Sequence, residues 1–195
     1  MVWGADPPRV TPEAQVLKGP ADWRLERIPM PPGFAPSIRL RGMEEIRFAP
    51  GMFDPRSPTY FTCIISILAD DEPVIDAKAL QEFLEKYYQG LSVAVGKHKH
   101  LQPDLAQMKA TIREGPPTPV ATESYGADMV FFDSFSDGRK ITLHIEATVN
   151  HLHGRKQTGL LLLVSPSAPE SEAWKALEVH GGEALRTMSG LKGER

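Results

Sequence analysis

The spacing of apolar side chains changes several times along the chain, and each change marks an element. From Asp76 onward, Leu80, Phe83, Leu84, Tyr87, Tyr88 and Leu91 recur three or four residues apart. That places them on one face of a helix at about 3.6 residues per turn. Asp76 is positioned to cap this helix with its carboxylate, and the apolar stripe stops between Gly90 and Gly96. Further on the period falls to two. Ile141, Leu143, Ile145, Ala147 and Val149 alternate with Thr142, His144, Glu146, Thr148 and Asn150, the pattern of a strand with one core face and one polar face. Residues 59–69 form a β-rich run read as a central strand, and residues 159–164, apolar at both parities, read as a strand covered on both faces and therefore also central.

The remaining segments are assigned from turn residues and shorter patterns. Residues 38–48 predict a strand pair or one bent strand with its bend at Arg41-Gly42-Met43. A long connection follows over 49–58, where Pro, Gly, Asp and Ser are dense. Strands are expected at 106–113 and 122–133, with Ser136 to Arg139 as a hairpin turn and His151 to Arg155 as a second turn. Ser167 and Glu170 have capping-box spacing before a helix carrying Ala173, Trp174 and Leu177. Gly181-Gly182 reads as that helix's end, and a last short helix holds Ala184, Leu185 and Met188. Eleven of the eighteen prolines precede residue 59, so residues 1–22 are read as an extended, mobile leader. A single domain then runs from Trp23 to residue 195, with Trp23, Leu25, Ile28 and Phe34 draped on it. The assembled order predicts an α+β domain, an antiparallel sheet packed by helices.

The middle helix, the antiparallel run from Phe131 to Val164 and the closing helix around Trp174 resemble the α/β/α sandwich of the PsbP family, photosystem oxygen-evolving accessory proteins, across residues 35–190. The resemblance implies a fold and a small accessory or adaptor role, and it assigns a role to no residue. The segment 49–58 and the leader depart from it.

Charge and composition narrow the function classes. A net charge of −3 and a pI near 6.1 argue against nucleic-acid binding, which rests on a basic surface. Cys63, the one cysteine, rules out an intramolecular disulfide and sits in an apolar run where a thiol behaves as a core side chain. No stretch reaches the roughly 20 apolar residues of a membrane-spanning helix. The N-terminus lacks signal-peptide features, but a chain begun after signal-peptide removal would look the same and would be extracytoplasmic.

Two groups of residues are candidates for chemistry. His144, Glu146, His151 and His153, with His98 and His100 as additions, offer nitrogen and oxygen ligands of the kind zinc accepts. Their spacing matches no metal motif, and a solvated strand face supplies the same residues. Ser165, after an apolar strand, is the nearest serine nucleophile but lacks the flanking glycines of a nucleophile elbow. The aromatics Phe53, Tyr88 and Phe132, with Tyr87, Phe135 and Met52, are candidates for an apolar patch or groove, while helical spacing also suits both tyrosines to the core; the binding surface is expected on a face of the sheet or in a groove beside the 49–58 loop. The leading expectation is a non-enzymatic binding or accessory domain for a protein partner or a small apolar ligand, with no cofactor. The rival is a zinc-binding protein or metal-assisted hydrolase centred on His144, Glu146, His151 and His153.

Overall fold

A computed structural model of the chain describes residues 14–119 and 121–191. Seven strands, β1 (Arg24–Met30), β2 (Gly42–Phe48), β3 (Cys63–Asp70), β4 (Ala110–Glu114), β5 (Glu123–Phe132), β6 (Lys140–Leu152) and β7 (Gln157–Ser165), form one open sheet. Their order is β1-β2-β3-β7-β6-β5-β4, and every neighbouring pair is antiparallel. Helix α1 (Ala77–Lys97) joins β3 to β4, and α2 (Glu172–Gly190) follows β7. No helix among the described residues is long and apolar enough to cross a membrane.

The two helices cover opposite faces of the sheet. On β3, Cys63, Ile65, Ile67 and Ala69 join the core that contains Leu80, Leu84, Tyr87 and Tyr88 of α1. Ile64 and Leu68, of the other parity, join Trp174, Leu177, Ala184 and Met188 of α2. Strands β3 and β7 are adjacent at the centre, between these two cores, which explains their apolar side chains at both parities. The helix predicted from Leu80 onward is present, with the Asp76 carboxylate accepting from the Ala79 amide at 2.7 Å. The alternation along β6 is equally real, with Leu143, Ile145, Ala147 and Val149 buried.

Several boundaries differ from the expected ones. Ser171, not Ser167, caps α2 by accepting from the Trp174 amide. Ser167 stabilises the approach instead, its carbonyl accepting from the Trp174 indole at 2.9 Å. The two short C-terminal helices are one, because Gly181 is a packing glycine rather than a cap. A Cβ there would lie 2.8 Å from the Leu163 side chain, so its absence lets α2 lie close on β7. Residues 38–40 are not strand, and β2 starts at Gly42, whose φ of +126° and approach to the Leu68 carbonyl leave no room for a Cβ. Before β4 the chain makes a single 3-10 turn at Leu105–Gln107.

At the N-terminal end the draped segment is partly an edge strand, β1, paired to β2 from Arg24 to Met30. Ahead of it, Val16 and Leu17 are buried. Two buried β2 residues hold them there. The Glu45 carboxylate accepts from the Val16 and Leu17 amides at 2.9 and 2.8 Å. Arg47 donates to the carbonyls of Leu17, Lys18, Pro20 and Trp23. These side chains share a β2 face, where the backbone of the covering segment satisfies their hydrogen bonds and Arg27 pairs with Glu45 at 3.3 Å. The first 13 residues of the expected leader lie outside the described residues.

Candidate functional site

Helix α1 packs mainly on β4 and β5, and this asymmetry creates a cavity. The β1–β3 half of the same sheet face is roofed by loops rather than by helix. Between them lies a cavity of about 240 Å³. Its floor is Ile28, Ile46, Cys63 and Ile65 of the first three strands, and its helical wall is Tyr87, Tyr88, Leu91 and Val95. Met52, Phe53, Phe61 and Phe135 close it from the loops, while Arg24 and Glu26 stand at the edge strand.

The roof is held in a defined shape. Phe61 donates its amide to the Met52 carbonyl at 2.9 Å and adopts a left-handed φ of +48°, a conformation an aromatic residue holds only when its surroundings impose it. Tyr60 donates its hydroxyl to the buried carboxylate of Asp133, which also accepts from the Ser136 hydroxyl and from the Phe135 amide at 3.1 Å. The 49–62 loop is thereby tied to the turn after β5. Phe53 lies over the opening, 45% exposed, its ring 5.6 Å from both Phe48 and Phe135. The Arg24 guanidinium sits 5.2 Å from the Phe48 ring and 5.7 Å from that of Phe53, and it pairs with Glu26.

Behind the apolar lining are buried polar groups. Glu44 has no exposed surface, and its Oε1 accepts from the Tyr87 hydroxyl at 2.6 Å. Burial pushes its carboxyl up to about 7, against the opposing pull of the Tyr87 hydrogen bond and with a further push from Glu26. Burial likewise raises the Cys63 thiol and the Tyr87 and Tyr88 phenols, so these groups stay neutral near pH 7. The Tyr88 hydroxyl and Glu44 Oε2 are buried with no hydrogen-bond partner. Leaving such a group unpaired costs about 1–3 kcal/mol.

Of the three aromatics expected at a groove, Phe53 and Tyr88 line this cavity. Phe132 does not line it. That residue is on β5, where its carbonyl accepts from the Ser92 hydroxyl at 2.5 Å and its ring faces the Gly138 turn. Glu44 was not singled out from the sequence, although adjacent glutamates inside a strand flanked by Met43 and Ile46 must place one carboxylate on each sheet face.

The proposed metal ligands do not converge. His144 and Glu146 share one face of β6, whereas His151 has the opposite parity in an unbroken register and faces the other way. The turn expected to fold over the strand is itself strand through Leu152. His144 Nδ1 lies 2.8 Å from Asp128 Oδ1, whose carboxylate also takes the Arg113 guanidinium at 2.6 Å. That guanidinium, and then His144, hold Asp128 below the usual carboxylate range. Partial burial and Glu178 raise the Glu146 carboxyl. His151 stacks on His153 with ring centroids 5.7 Å apart, and His153 Nδ1 lies 2.6 Å from Glu72. His98 and His100 are exposed beyond the end of α1. Among the described residues, no group of three or more His, Cys, Asp or Glu side chains is arranged to hold a metal.

Register also sets Ser165 opposite His144, which is opposite Asp128, a serine-histidine-aspartate series across three strands. It lacks the geometry of a catalytic triad. Ser165 is fully buried, its hydroxyl is 2.9 Å from that of Thr62, and it accepts from the Ser167 amide at 3.2 Å. A nucleophile must reach both its base and a substrate, and this hydroxyl is committed elsewhere. Compared with known proteins, the chain matches no family model, no curated protein and no solved structure.

Proposed function

We propose that this domain is a non-enzymatic binding protein that holds a small apolar ligand in the cavity between α1 and strands β1–β3. One observation carries the reading. The cavity of about 240 Å³ is lined almost wholly by aliphatic and aromatic side chains, with a few polar groups and an opening beside Phe53. Cavities of this make-up take up apolar molecules, since water gains few hydrogen bonds there. Burial holds Cys63 as the neutral thiol, which argues against a nucleophilic thiolate in this wall. An accessory role also accords with the PsbP-like resemblance.

The test is a titration with naphthalene followed by methyl NMR of the isoleucines and methionines. Binding predicts shifts centred on Ile28, Ile46, Met52 and Ile65. Ile46→Phe, which fills the cavity with an extra ring, should abolish them. Absence of shifts in the wild type, or shifts that survive the filled variant, would overturn the proposal.

A further inference from the structure

We infer that the Phe53 ring is the gate of the cavity and the Arg24 guanidinium its latch, so that this pair sets how fast a ligand enters and leaves. The inference rests on the binding role proposed above and adds the route of entry.

The route follows from two spaces that share a wall. Outside the cavity lies a recess of about 420 Å³ whose far side is Asp22, Pro50, Gly51 and Asp54. Arg24, Phe48, Met52 and Phe53 line both the recess and the cavity. These four residues are therefore the partition between the recess and the apolar interior. A molecule that moves from one space to the other passes between their side chains, and the passage widens when one of them moves.

Two of the four are fixed. Phe48 belongs to β2, where it pairs with Arg24 of β1 on one side and with Cys63 of β3 on the other. Met52 is 4% exposed, and both its amide and its carbonyl are hydrogen-bonded, to Ala49 and to Phe61. Phe53 differs. It is 45% exposed, and among the described residues no hydrogen bond holds its backbone. Its ring spans the mouth, 5.6 Å from Phe48 on the β2 rim and 5.6 Å from Phe135 on the turn after β5. Rotation of this side chain opens the mouth without breaking a strand pairing or a backbone hydrogen bond.

Arg24 holds the ring shut. Its guanidinium lies 5.2 Å from the Phe48 ring and 5.7 Å from the Phe53 ring, so one cation grips the fixed ring and the movable one together. Glu26, two residues along the same strand face, pairs with that guanidinium and keeps it over the rings. Exposed side chains flip within nanoseconds, so entry is slowed by the fraction of time for which the ring is open. A contact that favours the closed ring equally with and without ligand slows entry and exit by the same factor and leaves the affinity unchanged.

The experiment is stopped-flow fluorescence with naphthalene as the probe, on the full chain and its Arg24→Gln and Phe53→Ala variants. Both positions are exposed, and circular dichroism verifies the fold. Arg24→Gln removes the cation and is expected to raise the association and dissociation rate constants together, about two- to fivefold, at an unchanged Kd, the size of one exposed cation–π contact. Phe53→Ala removes the ring and is expected to raise the association rate constant about tenfold. An association rate constant unchanged by Phe53→Ala overturns the gate even where dissociation quickens, because a ring that only touches the ligand alters exit alone. Unchanged rates in Arg24→Gln alone overturn the latch and leave the gate. Failure of naphthalene to bind the wild type overturns the cavity reading and the inference together.

Discussion

The Tyr87 hydroxyl donates to Glu44 at 2.6 Å, in a part of the core where Glu44 has no exposed surface and a second, unpartnered carboxyl oxygen. The burial of Glu44 makes the fold pH-sensitive. It raises the carboxyl from the ordinary 4.5 to about 7, against the pull of the Tyr87 hydrogen bond and with a smaller push from Glu26. The folded state therefore binds the proton more tightly than the unfolded chain. The stability it contributes is complete below 4.5 and is lost as pH rises through about 7. Urea unfolding should show a decline of about 3 kcal/mol between about pH 4.5 and about pH 8 from this group. Glu44→Gln should flatten that decline and be more stable than wild type at about pH 8 by about 1–3 kcal/mol. An unchanged slope in the variant would refute the assignment.

Arg47 is the second buried charge with a specific task. It is 7% exposed and donates to four carbonyls of the segment before β1. Arg47→Met should cost about 1–3 kcal/mol, because those carbonyls lose their donor. Limited proteolysis should then cut within residues 14–22 faster than in the wild type.

The tie between Tyr60 and Asp133 governs the cavity roof. Tyr60→Phe keeps the ring and removes the hydrogen bond to a buried carboxylate, at a cost of about 1–2 kcal/mol. The main readout is local. Hydrogen exchange should accelerate at the amides of Met52 and Phe61, which are bonded within the roof, while those of β6 and β7 stay protected. Equal acceleration everywhere would show that the tie supports the whole fold rather than the roof.

The Arg113, Asp128 and His144 series is a surface network with little energetic weight. Asp128 is about one-third exposed and Arg113 more than half, so solvent screens the pairs. Asp128→Asn should cost less than about 1 kcal/mol by denaturant unfolding. A loss several times larger would mean that the array carries more than surface charge.

The helix from Ala77, the alternation along β6 and the apolar runs of the central strands β3 and β7 were legible in the sequence, because local periodicity records which faces are buried. The lone Cys63 was rightly placed in the core for the same reason. Edge strand β1 was not read as a strand, since three of its seven residues are charged and one is proline, as befits a strand with a single neighbour. The continuity of α2 through Gly181 was hidden because a helical glycine looks like a stop signal until the Leu163 side chain beneath it is known.

The candidate site divides along the same line. Composition and local pattern determined a chain with one packed α+β sheet domain, and they named aromatics for an apolar surface without placing them together. They left open whether four polar residues on and after one strand converge or are the solvated face of a sheet. Strand parity separates His144 from His151, and no local pattern shows that the register runs unbroken between them. Only tertiary structure decided that α1 covers one half of its sheet face and loops the other, which creates the cavity. Only tertiary structure could bring Glu44 to Tyr87 and leave the Tyr88 hydroxyl unpaired. Periodicity fixes which side of an element is buried, whereas contacts between residues more than 40 positions apart depend on how the buried sides are laid against one another.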